Sequence, residues 1–312
     1  MSASSNFPLI SIVMPCFNAK RHLRQSIGSV LDQTYPHWEL IVIDDGSTDD
    51  SLGLLHSLND ERITVIEQTN QGVCKTRNRG IKAAKGEWIA FLDADDTWHP
   101  DCLSLLYRAL CDDPSASLAY CGWQNVGLPG GAGKPFVPPD YETADKLELV
   151  FTSCRWPIHA CLTRKSAIIE AGLFDESLLT AEDFLLWLKI AYKNRLTRVP
   201  EVLALYHFHD GGQASSNKAR AAINHWLAQE RFLQQNSEVL SILGVEKVKS
   251  GMHGELLNRG FECYWQRDLV GARAIFRKVM LQRYGSLKDW VYMLPSLLPL
   301  FLHRSLISLF SR

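Results

Sequence analysis

The first 125 residues alternate between two apolar patterns, and this alternation limits the possible folds more than any other feature of the sequence. Short runs rich in β-branched residues are separated by segments in which apolar residues recur at helical spacing. Such alternation predicts βαβ units and a largely parallel sheet. The predicted strands span residues 9–14, 39–43, 63–67, 88–92 and 118–123.

Beyond residue 125 the pattern predicts a second, mixed part and then a helical region. Gly and Pro crowd residues 127–139, which indicates a loop. Strands are predicted at 158–163 and 198–209, and a buried helix at 184–192. We therefore expect one domain over residues 1–212, with halves at about 8–125 and 140–212, and a helical region over 213–312.

Composition excludes several classes of protein. The 312 residues are 46% hydrophobic, which excludes a disordered chain. Lys and Arg number 33 against 34 Asp and Glu, so no overall positive field is available to bind nucleic acid. None of the eight cysteines forms a Cys-x-x-Cys pair, and the apolar run at 9–14 is too short for a signal peptide. We expect reduced thiols and a cytoplasmic location.

Carboxylates follow two of the predicted strands. Asp44-Asp45-Gly46-Ser47 suits a tight turn, in which Ser47 would cap the next helix and Asp50 would complete a capping box. Asp93-Ala94-Asp95-Asp96 is harder to explain as a turn, because like charges this close repel unless a cation or a proton intervenes. Carboxylates favour Mg²⁺ or Mn²⁺, and substrate phosphates can supply the other ligands, so this cluster predicts a nucleoside diphosphate site.

The second cluster also permits a different chemistry. Residues 93–97 read Asp-x-Asp-x-Thr, which resembles the nucleophile motif of haloacid-dehalogenase-type phosphatases, with Asp93 as the nucleophile. In those enzymes the motif normally follows the first strand, whereas here it follows the fourth. No convincing downstream Gly-Asp pair is present to hold their magnesium.

A series of motifs, in order, resembles the inverting glycosyltransferases of family 2, which have the glycosyltransferase A fold. The resemblance covers about residues 8–209 and rests on residues 11–18, 43–49, 70–72, 77–80, 84–87 and 91–96. It implies an α/β, Rossmann-like, mostly parallel sheet followed by a C-terminal helical segment. It also implies transfer of a sugar from a nucleotide-sugar donor, UDP-linked, to a hydroxyl of a glycan or lipid-linked acceptor in cell-envelope polysaccharide biosynthesis.

The resemblance assigns roles to individual residues. Phe17 would lie against uracil, Asp45 would accept its imide proton, and Arg77 would meet the nucleotide or diphosphate. Asp93 would orient the ribose or sugar, and Asp95 would bind Mn²⁺ or Mg²⁺. The remaining nucleotide-binding residues would be Pro15, Asn18 and Ala94.

The acceptor side is assigned in the same way. Inversion needs a carboxylate that takes the acceptor's proton, and the Glu182-Asp183 pair resembles the family's base, with Asp183 favoured and Glu182 in reserve. The alternative is structural: Thr180 would cap the helix while Asp183 complements its dipole. His209 is the candidate second metal ligand, with a hydrogen-bonded structural histidine as the alternative.

Trp156 and His159 are candidates for the acceptor site, with packing in the core as the alternative for both. Residues 258–280, with a turn at 267–268, resemble a single tetratricopeptide-like hairpin.

The chain ends in an apolar segment. Residues 290–302 carry no charge but contain two prolines and are too few to span a bilayer, which predicts peripheral contact of residues 290–312 with a membrane or a partner. The alternative, for the whole helical region over 213–312, is that it only covers the back of the catalytic domain. A scaffold that binds nucleotide-sugar without catalysis is the remaining alternative for the whole chain.

Overall fold

The computed structural model describes residues 7–128, 131–208 and 217–310, with side chains to residue 305. Eight strands form one mixed sheet. They are β1 (Ile10–Cys16), β2 (Trp38–Asp44), β3 (Ile63–Glu67), β4 (Trp88–Phe91), β5 (Thr97–Trp98), β6 (Ala116–Val126), β7 (Cys161–Arg164) and β8 (Arg195–His207). The order across the sheet is β3-β2-β1-β4-β7-β6-β8-β5.

The first four strands form the parallel half of the sheet. β1 pairs in parallel with both β2 and β4, and β2 pairs with β3. Every residue of β2 is buried, as the continuous apolar run predicts for a parallel strand covered on both faces. Four predicted strands, at 9–14, 39–43, 63–67 and 88–92, are thereby confirmed to within two residues at each end.

The other half of the sheet is mostly antiparallel. β7 is antiparallel to β4 and β6, and β5 is antiparallel to β8, while β6 and β8 are parallel. The strand predicted at 158–163 begins later, at Cys161, because the chain turns just before it: the Ala160 N–H donates to the Pro157 carbonyl at 3.0 Å. The two-residue β5 was not predicted, since two residues show no periodicity.

Seven helices accompany the sheet over the described residues. They are α1 (Lys20–Leu31), α2 (Ser51–His56), α3 (Val73–Ala83), α4 (Cys102–Asp112), α5 (Lys146–Thr152), α6 (Lys165–Glu170) and α7 (Glu182–Lys193). α3 lies unusually close to the sheet at Gly80, where a Cβ would stand 2.4 Å from Val13 Cγ1. Glycine at this position therefore lets α3 pack directly on β1.

The C-terminal region is helical, as predicted. It contains α8 (Lys218–Gln235), α9 (Val239–Leu243), α10 (Val245–Lys249), a π turn (Ser250–Gly254), α11 (Glu255–Trp265), α12 (Leu269–Leu281), α13 (Leu287–Met293), a 3₁₀ turn (Leu294–Leu297) and α14 (Leu300–Phe310). α11 and α12 form the predicted hairpin. Arg267 adopts φ +65° at its turn, and Asp268 caps α12 by accepting the Gly271 N–H at 2.9 Å.

The chain divides into two compact units. One contains Met1–Ser177 and Leu186–Gly211, and the other contains Leu178–Leu185 and Gly212–Arg312. The first turn of α7 is thus grouped with the helical unit, although the sequence analysis assigned all of residues 1–212 to one domain. No helix among the described residues is both long enough and apolar enough to cross a membrane.

Candidate active site

The carboxyl ends of the parallel strands bring the predicted site residues of the α/β unit to one edge of the sheet. Cys16, the last residue of β1, pairs with Asp44, and Asp44 pairs with Glu67. The Asp45 N–H donates to the Cys16 carbonyl at 2.8 Å, and the Leu92 N–H donates to Val13 at 3.1 Å. Phe17, Asp45, Gln68 and Asp93 therefore follow four aligned strand ends, the usual place for a ligand in such sheets.

Asp45 is held rigidly at this edge. Its Oδ1 accepts from Gln68 Nε2 at 2.7 Å and from the Gln71 N–H at 2.8 Å, and its Oδ2 accepts from the Gly72 N–H at 2.9 Å. The residue is 4% exposed. A carboxylate has about four acceptor sites, so three donors orient it and leave acceptor capacity on Oδ2. Gln68 was missed by the sequence analysis, although its place directly after β3 was an available signal.

The loop after β2 is joined to the end of β1 through Asn18. Asn18 adopts φ +51°, and its Oδ1 accepts from the Thr48 N–H at 2.7 Å. The predicted capping box is wrong: α2 begins at Ser51, and Ser47 Oγ instead accepts the Asn18 N–H at 3.0 Å. Gly46 adopts φ +76°, and a Cβ there would stand 2.9 Å from the backbone nitrogen of Asn70. The turn around Asp45 therefore requires glycine.

Two predicted nucleotide-binding residues offer surface beside this loop. Phe17 is 51% exposed, which is high for a phenylalanine, and Pro15 is half-buried. An exposed aromatic ring next to an oriented acceptor can take a planar base that carries an N–H donor.

Arg77 and Asp93 form an ion pair in the same unit. Nη2 of Arg77 donates to both carboxylate oxygens of Asp93, at 2.8 and 3.1 Å. The guanidinium carbon lies 5.5 Å from the ring centroid of Phe174. The Arg77 side chain is 5% exposed and that of Asp93 is 26% exposed. The ion pair therefore fixes the guanidinium of Arg77, on α3, beside the half-exposed carboxylate of Asp93, which follows β4.

α3 also fixes the loop over residues 172–176. Asn78 Nδ2 donates to the Phe174 carbonyl at 3.0 Å and to Glu176 Oε1 at 3.1 Å, and the Phe174 N–H donates back to Asn78 Oδ1 at 2.9 Å. Residues 172 and 173 of this loop have positive φ angles. Asn78 is the second site-supporting residue that the sequence analysis did not single out, because its partners lie almost a hundred residues away.

Asp96 is the buried last residue of the acidic loop, which we define as residues 93–96. Its Oδ1 accepts from the His207 N–H at 2.9 Å, and its Oδ2 lies 3.1 Å from His159 Nδ1 without the alignment of a hydrogen bond. Burial, reinforced by the charges of Asp93 and Asp95, holds the pKa of Asp96 well above its ordinary value. Burial lowers the pKa of His159 to about 4. Both effects favour the neutral forms of this pair.

The acidic loop fits a divalent cation by its donor chemistry. Asp93 and Asp95 are half-exposed carboxylates, and their charges are close enough to perturb the buried Asp96, so negative charge is concentrated here. Ala94 between them is buried. Within the described part of the chain, no three His, Cys, Asp or Glu side chains converge as a metal site. His209, the predicted second ligand, lies outside the described residues.

Glu182 and Asp183 open α7, and both are half-buried. Ala181 before them adopts φ +61°, a conformation that non-glycine residues seldom take. Asp183 Oδ1 accepts the Phe184 N–H at 2.7 Å. Thr180 precedes the helix by two positions, and its Oγ1 accepts from Asn224 Nδ2 at 2.9 Å. These residues are grouped with the helical unit.

The two residues predicted for the acceptor site are both buried. Trp156 is 2% exposed and stacks on Tyr120, and His159 is 0% exposed and stacks on Tyr206. Both rings are already stacked on aromatic rings of the protein, and almost no surface remains for contact with an acceptor. The core-packing alternative is therefore the better description of both.

Comparison with known proteins identifies the family. The model of the family described as "Glycosyl transferase family 2" matches residues 11–151, which include the strand ends described above. TuaG of Bacillus subtilis, whose name assigns it to teichuronic acid biosynthesis, is 31% identical over 225 residues, 70% of this chain and 86% of TuaG. The chain belongs to glycosyltransferase family 2.

One further relative agrees with this assignment, and one solved structure shares the fold. WfgD of Escherichia coli, named as a UDP-Glc:α-D-GlcNAc-diphosphoundecaprenol β-1,3-glucosyltransferase, is 31% identical over 70% of this chain and 84% of WfgD. The solved mannosyltransferase PcManGT of Pyrobaculum calidifontis, in complex with GDP-Man and Mn²⁺, superposes with a TM-score of 0.59 at 18% identity over 92% of this chain and 79% of its own. That likeness confirms the predicted fold. Family membership also decides against the phosphatase interpretation of residues 93–97.

Proposed function

We propose that this family 2 glycosyltransferase transfers a sugar from a UDP-linked donor to a hydroxyl of a lipid-linked or polysaccharide acceptor, with inversion at the anomeric carbon. The names of two relatives support this proposal. One acts from UDP-Glc on a diphosphoundecaprenol-linked sugar, and the other is assigned to teichuronic acid biosynthesis. The product would enter a polysaccharide of the cell envelope.

The observation that carries the proposal is the fixed carboxylate of Asp45 beside the exposed ring of Phe17. Asp45 already accepts from three donors and keeps acceptor capacity on Oδ2, so the imide N–H of uracil is a fitting fourth donor. Phe17 offers 51% of its surface for contact with the base. Pro15 and Asn18, at the end of β1, would contribute to the same nucleotide contact.

The diphosphate would lie near Arg77 and the acidic loop. Arg77 supplies a planar cation whose geometry suits anionic diphosphate oxygens. Asp93 and the Ala94 backbone would orient the ribose or sugar. Asp95 would hold a divalent cation, Mn²⁺ or Mg²⁺, whose charge offsets that of the departing diphosphate.

Asp183 is the proposed base. As the acceptor oxygen forms a bond to the anomeric carbon, the bond to the diphosphate oxygen breaks on the opposite face and the diphosphate leaves with the electron pair. Asp183 takes the proton of the attacking hydroxyl. Its position in the first turn of α7, after the strained Ala181, supports this role, because strain of this kind clusters at functional sites. Glu182 is the reserve base.

Calorimetric titration with UDP tests the donor site. We expect wild-type protein to bind UDP more tightly with Mn²⁺ than without it, and Asp95→Ala to lose that dependence on metal. Asp101→Ala, which removes a carboxylate that precedes α4, is the control. UDP binding that ignores both metal and Asp95 would contradict the proposed site.

Transfer itself is tested with Asp183→Asn. We expect unchanged UDP binding but a fall in turnover of at least about a hundredfold, the usual contribution of general base catalysis. Glu182→Gln should have the smaller effect. Normal turnover by Asp183→Asn would refute its role as base, and absence of transfer by wild-type protein that binds UDP would favour the scaffold alternative.

We also place the enzyme in the cytoplasm, at the inner face of the membrane, because a lipid-linked acceptor is confined to a bilayer. The apolar C-terminal segment is the part of the chain that supports this location.

A further inference from the structure

The last helical segment, from the start of α13 at Leu287 into α14, packs on the α11–α12 hairpin along one side. Met293, Ser296 and His303 have no exposed surface. Arg277 Nε, on α12, donates to the Ser296 carbonyl at 2.9 Å, and the ring of His303 lies 6.4 Å from that of Tyr264 on α11. The segment is therefore part of the folded helical unit, with a defined side that faces away from the hairpin.

That outer side is apolar. Within the sixteen residues 287–302, six large apolar side chains are between 42% and 89% exposed, and together we call them the tail surface: Leu287, Val291, Leu294, Leu297, Phe301 and Leu302. Single exposed apolar residues are ordinary in folded proteins, whereas a concentration of them marks an interaction site.

Aromatic residues border the tail surface. Trp265 and Tyr292 are 60% and 41% exposed, and their ring centroids are 5.8 Å apart. Side chains of this type combine an apolar ring with a polar atom, which suits them to the boundary between lipid and water.

The charge around the tail surface selects its partner. Residues 269–304 contain six Lys or Arg and one Asp, in a chain whose overall formal charge is −1. The single acid, Asp289, is used in a capping box with Ser286. Arg283, Lys288 and Arg304 are exposed. An anionic lipid surface attracts exposed cations beside an apolar face. The cations interact with the headgroup charges, and the apolar side chains contact the acyl chains.

We propose that the tail surface binds anionic phospholipid bilayers from one side, with its apolar side chains in the headgroup region. No described helix could span the bilayer, so the contact is peripheral. The purpose of this contact, access to a lipid-linked acceptor, rests on the proposed function, but the binding itself does not require catalysis.

Vesicle flotation with the full chain tests the apolar part of the proposal. We expect binding to phosphatidylcholine vesicles that contain about one third phosphatidylglycerol. Leu297→Ser with Phe301→Ser should weaken this binding at least about tenfold, because two large apolar side chains no longer insert into the bilayer. The matched control is Ile169→Ser with Ile242→Ser, which removes two side chains that are 55% and 61% exposed outside the tail surface.

A second pair of variants tests the electrostatic part. Lys288→Glu with Arg304→Glu should weaken binding to the anionic vesicles several-fold, as should high salt, because the headgroup attraction is screened. The same charge change elsewhere, Arg24→Glu with Lys82→Glu, should leave binding near the wild-type level.

Several results would overturn the proposal. One is wild-type protein that ignores anionic vesicles, and another is equal loss in the tail and control variants. A third is a tail variant that abolishes self-association in sedimentation velocity while vesicle binding persists, which would make the surface an interface between copies of the chain. UDP titration without vesicles separates this proposal from the proposed function, since vesicle binding by a protein that does not bind UDP would contradict only the latter.

Discussion

The carboxylate of Asp45 accepts hydrogen bonds from one side chain and two backbone N–H groups. Its orientation is therefore a property of the turn over residues 68–72 as much as of the aspartate itself. A substitution at this position changes both the ligand contact and the turn, and the two effects have to be measured separately.

Asp45→Asn tests this arrangement. The amide keeps the shape of the side chain but replaces one acceptor oxygen with a donor, which would face an N–H group. Loss of a charged acceptor costs about 2 kcal/mol, so we expect UDP affinity to fall at least about tenfold and the melting temperature to fall as well. Asp50→Asn, in the same loop but exposed, is the control and should leave UDP affinity unchanged. Equal UDP affinity in wild type and Asp45→Asn, measured by calorimetry, would remove Asp45 from the donor site.

The position of a single residue could be predicted where a strand end fixes it. Asp93 directly follows the predicted strand 88–92 and Asp45 lies two residues after the predicted strand 39–43, so their place at the sheet edge could be inferred from the strands alone. The burial of His159 against Asp96 could not be inferred from the sequence, because it depends on the pairing of β7 and β8 with distant strands. Partners such as Gln68 and Asn78 were missed for the same reason: sequence shows the residue but not what it contacts.

α3 connects packing to the site, because the helix that carries Arg77 rests on β1 through Gly80. A Cβ at position 80 would stand 2.4 Å from Val13 Cγ1 and 2.8 Å from Ile43 Cδ1. Gly80→Ala should therefore push α3 outward, destabilise the protein by about 1–3 kcal/mol and weaken UDP binding. Urea unfolding and UDP titration measure the two effects.

Gly28→Ala is the matched control for that substitution. Gly28 is also helical, but a Cβ there would meet no atom within 4 Å. Alanine should stabilise α1 by about 0.5–1 kcal/mol through its higher helix propensity and leave UDP binding unchanged. If both glycine variants behaved alike, the close approach of α3 to β1 would not be what fixes Arg77.

The π turn before α11 should make the helical unit sensitive to acid. Trp226 Nε1 donates to His253 Nδ1 at 2.9 Å, and burial, with a smaller effect of Lys249, lowers the pKa of His253 from its ordinary value of 6.5. The folded state then binds fewer protons than the unfolded state, so this stability is present above pH 6.5 and lost as pH falls below it. The melting temperature of wild type should fall more steeply from pH 7 to 5 than that of His253→Phe.

The control for the acid effect is His56→Phe, which replaces an exposed histidine. It should retain the wild-type slope of melting temperature against pH. A slope unchanged in His253→Phe would mean that this histidine does not titrate with unfolding.

Periodicity in the sequence predicted the longer strands and helices. It did not predict elements that are too short to show a repeating pattern. β1, β2 and β4 match because each is a nearly continuous buried run, and β3 matches through its β-branched residues although it is only half-buried. β5 has two residues and no pattern. The start of β7 was predicted too early because the apolar residues before it are buried in a turn, and burial alone does not distinguish a turn from a strand.

The division into two compact units predicts a selective response to ligand. The proposed UDP contacts all belong to the α/β unit. At about a hundred times its dissociation constant, UDP should stabilise the unit that binds it by about 2.7 kcal/mol. We expect calorimetry to show two transitions, of which UDP raises only one, and Asp45→Asn to abolish that shift. One transition that UDP moves as a whole would show that the units unfold together.

The grouping of residues 178–185 with the helical unit was beyond sequence analysis. These residues continue directly into α7, whose later turns belong to the α/β unit, and no change in composition marks the division. Units of a whole molecule are defined by contacts distant in sequence, whereas periodicity reports only local structure.

The turn that holds Asp45 has a kinetic consequence. Backbone groups already hold the carboxylate in place, so nucleotide binding does not require a prior rearrangement of this turn. Capture should then follow a single exponential whose observed rate constant rises linearly with nucleotide concentration, without a plateau, from an intercept equal to the dissociation rate constant. Differences in affinity among related nucleotides would accordingly come from differences in their dissociation rates.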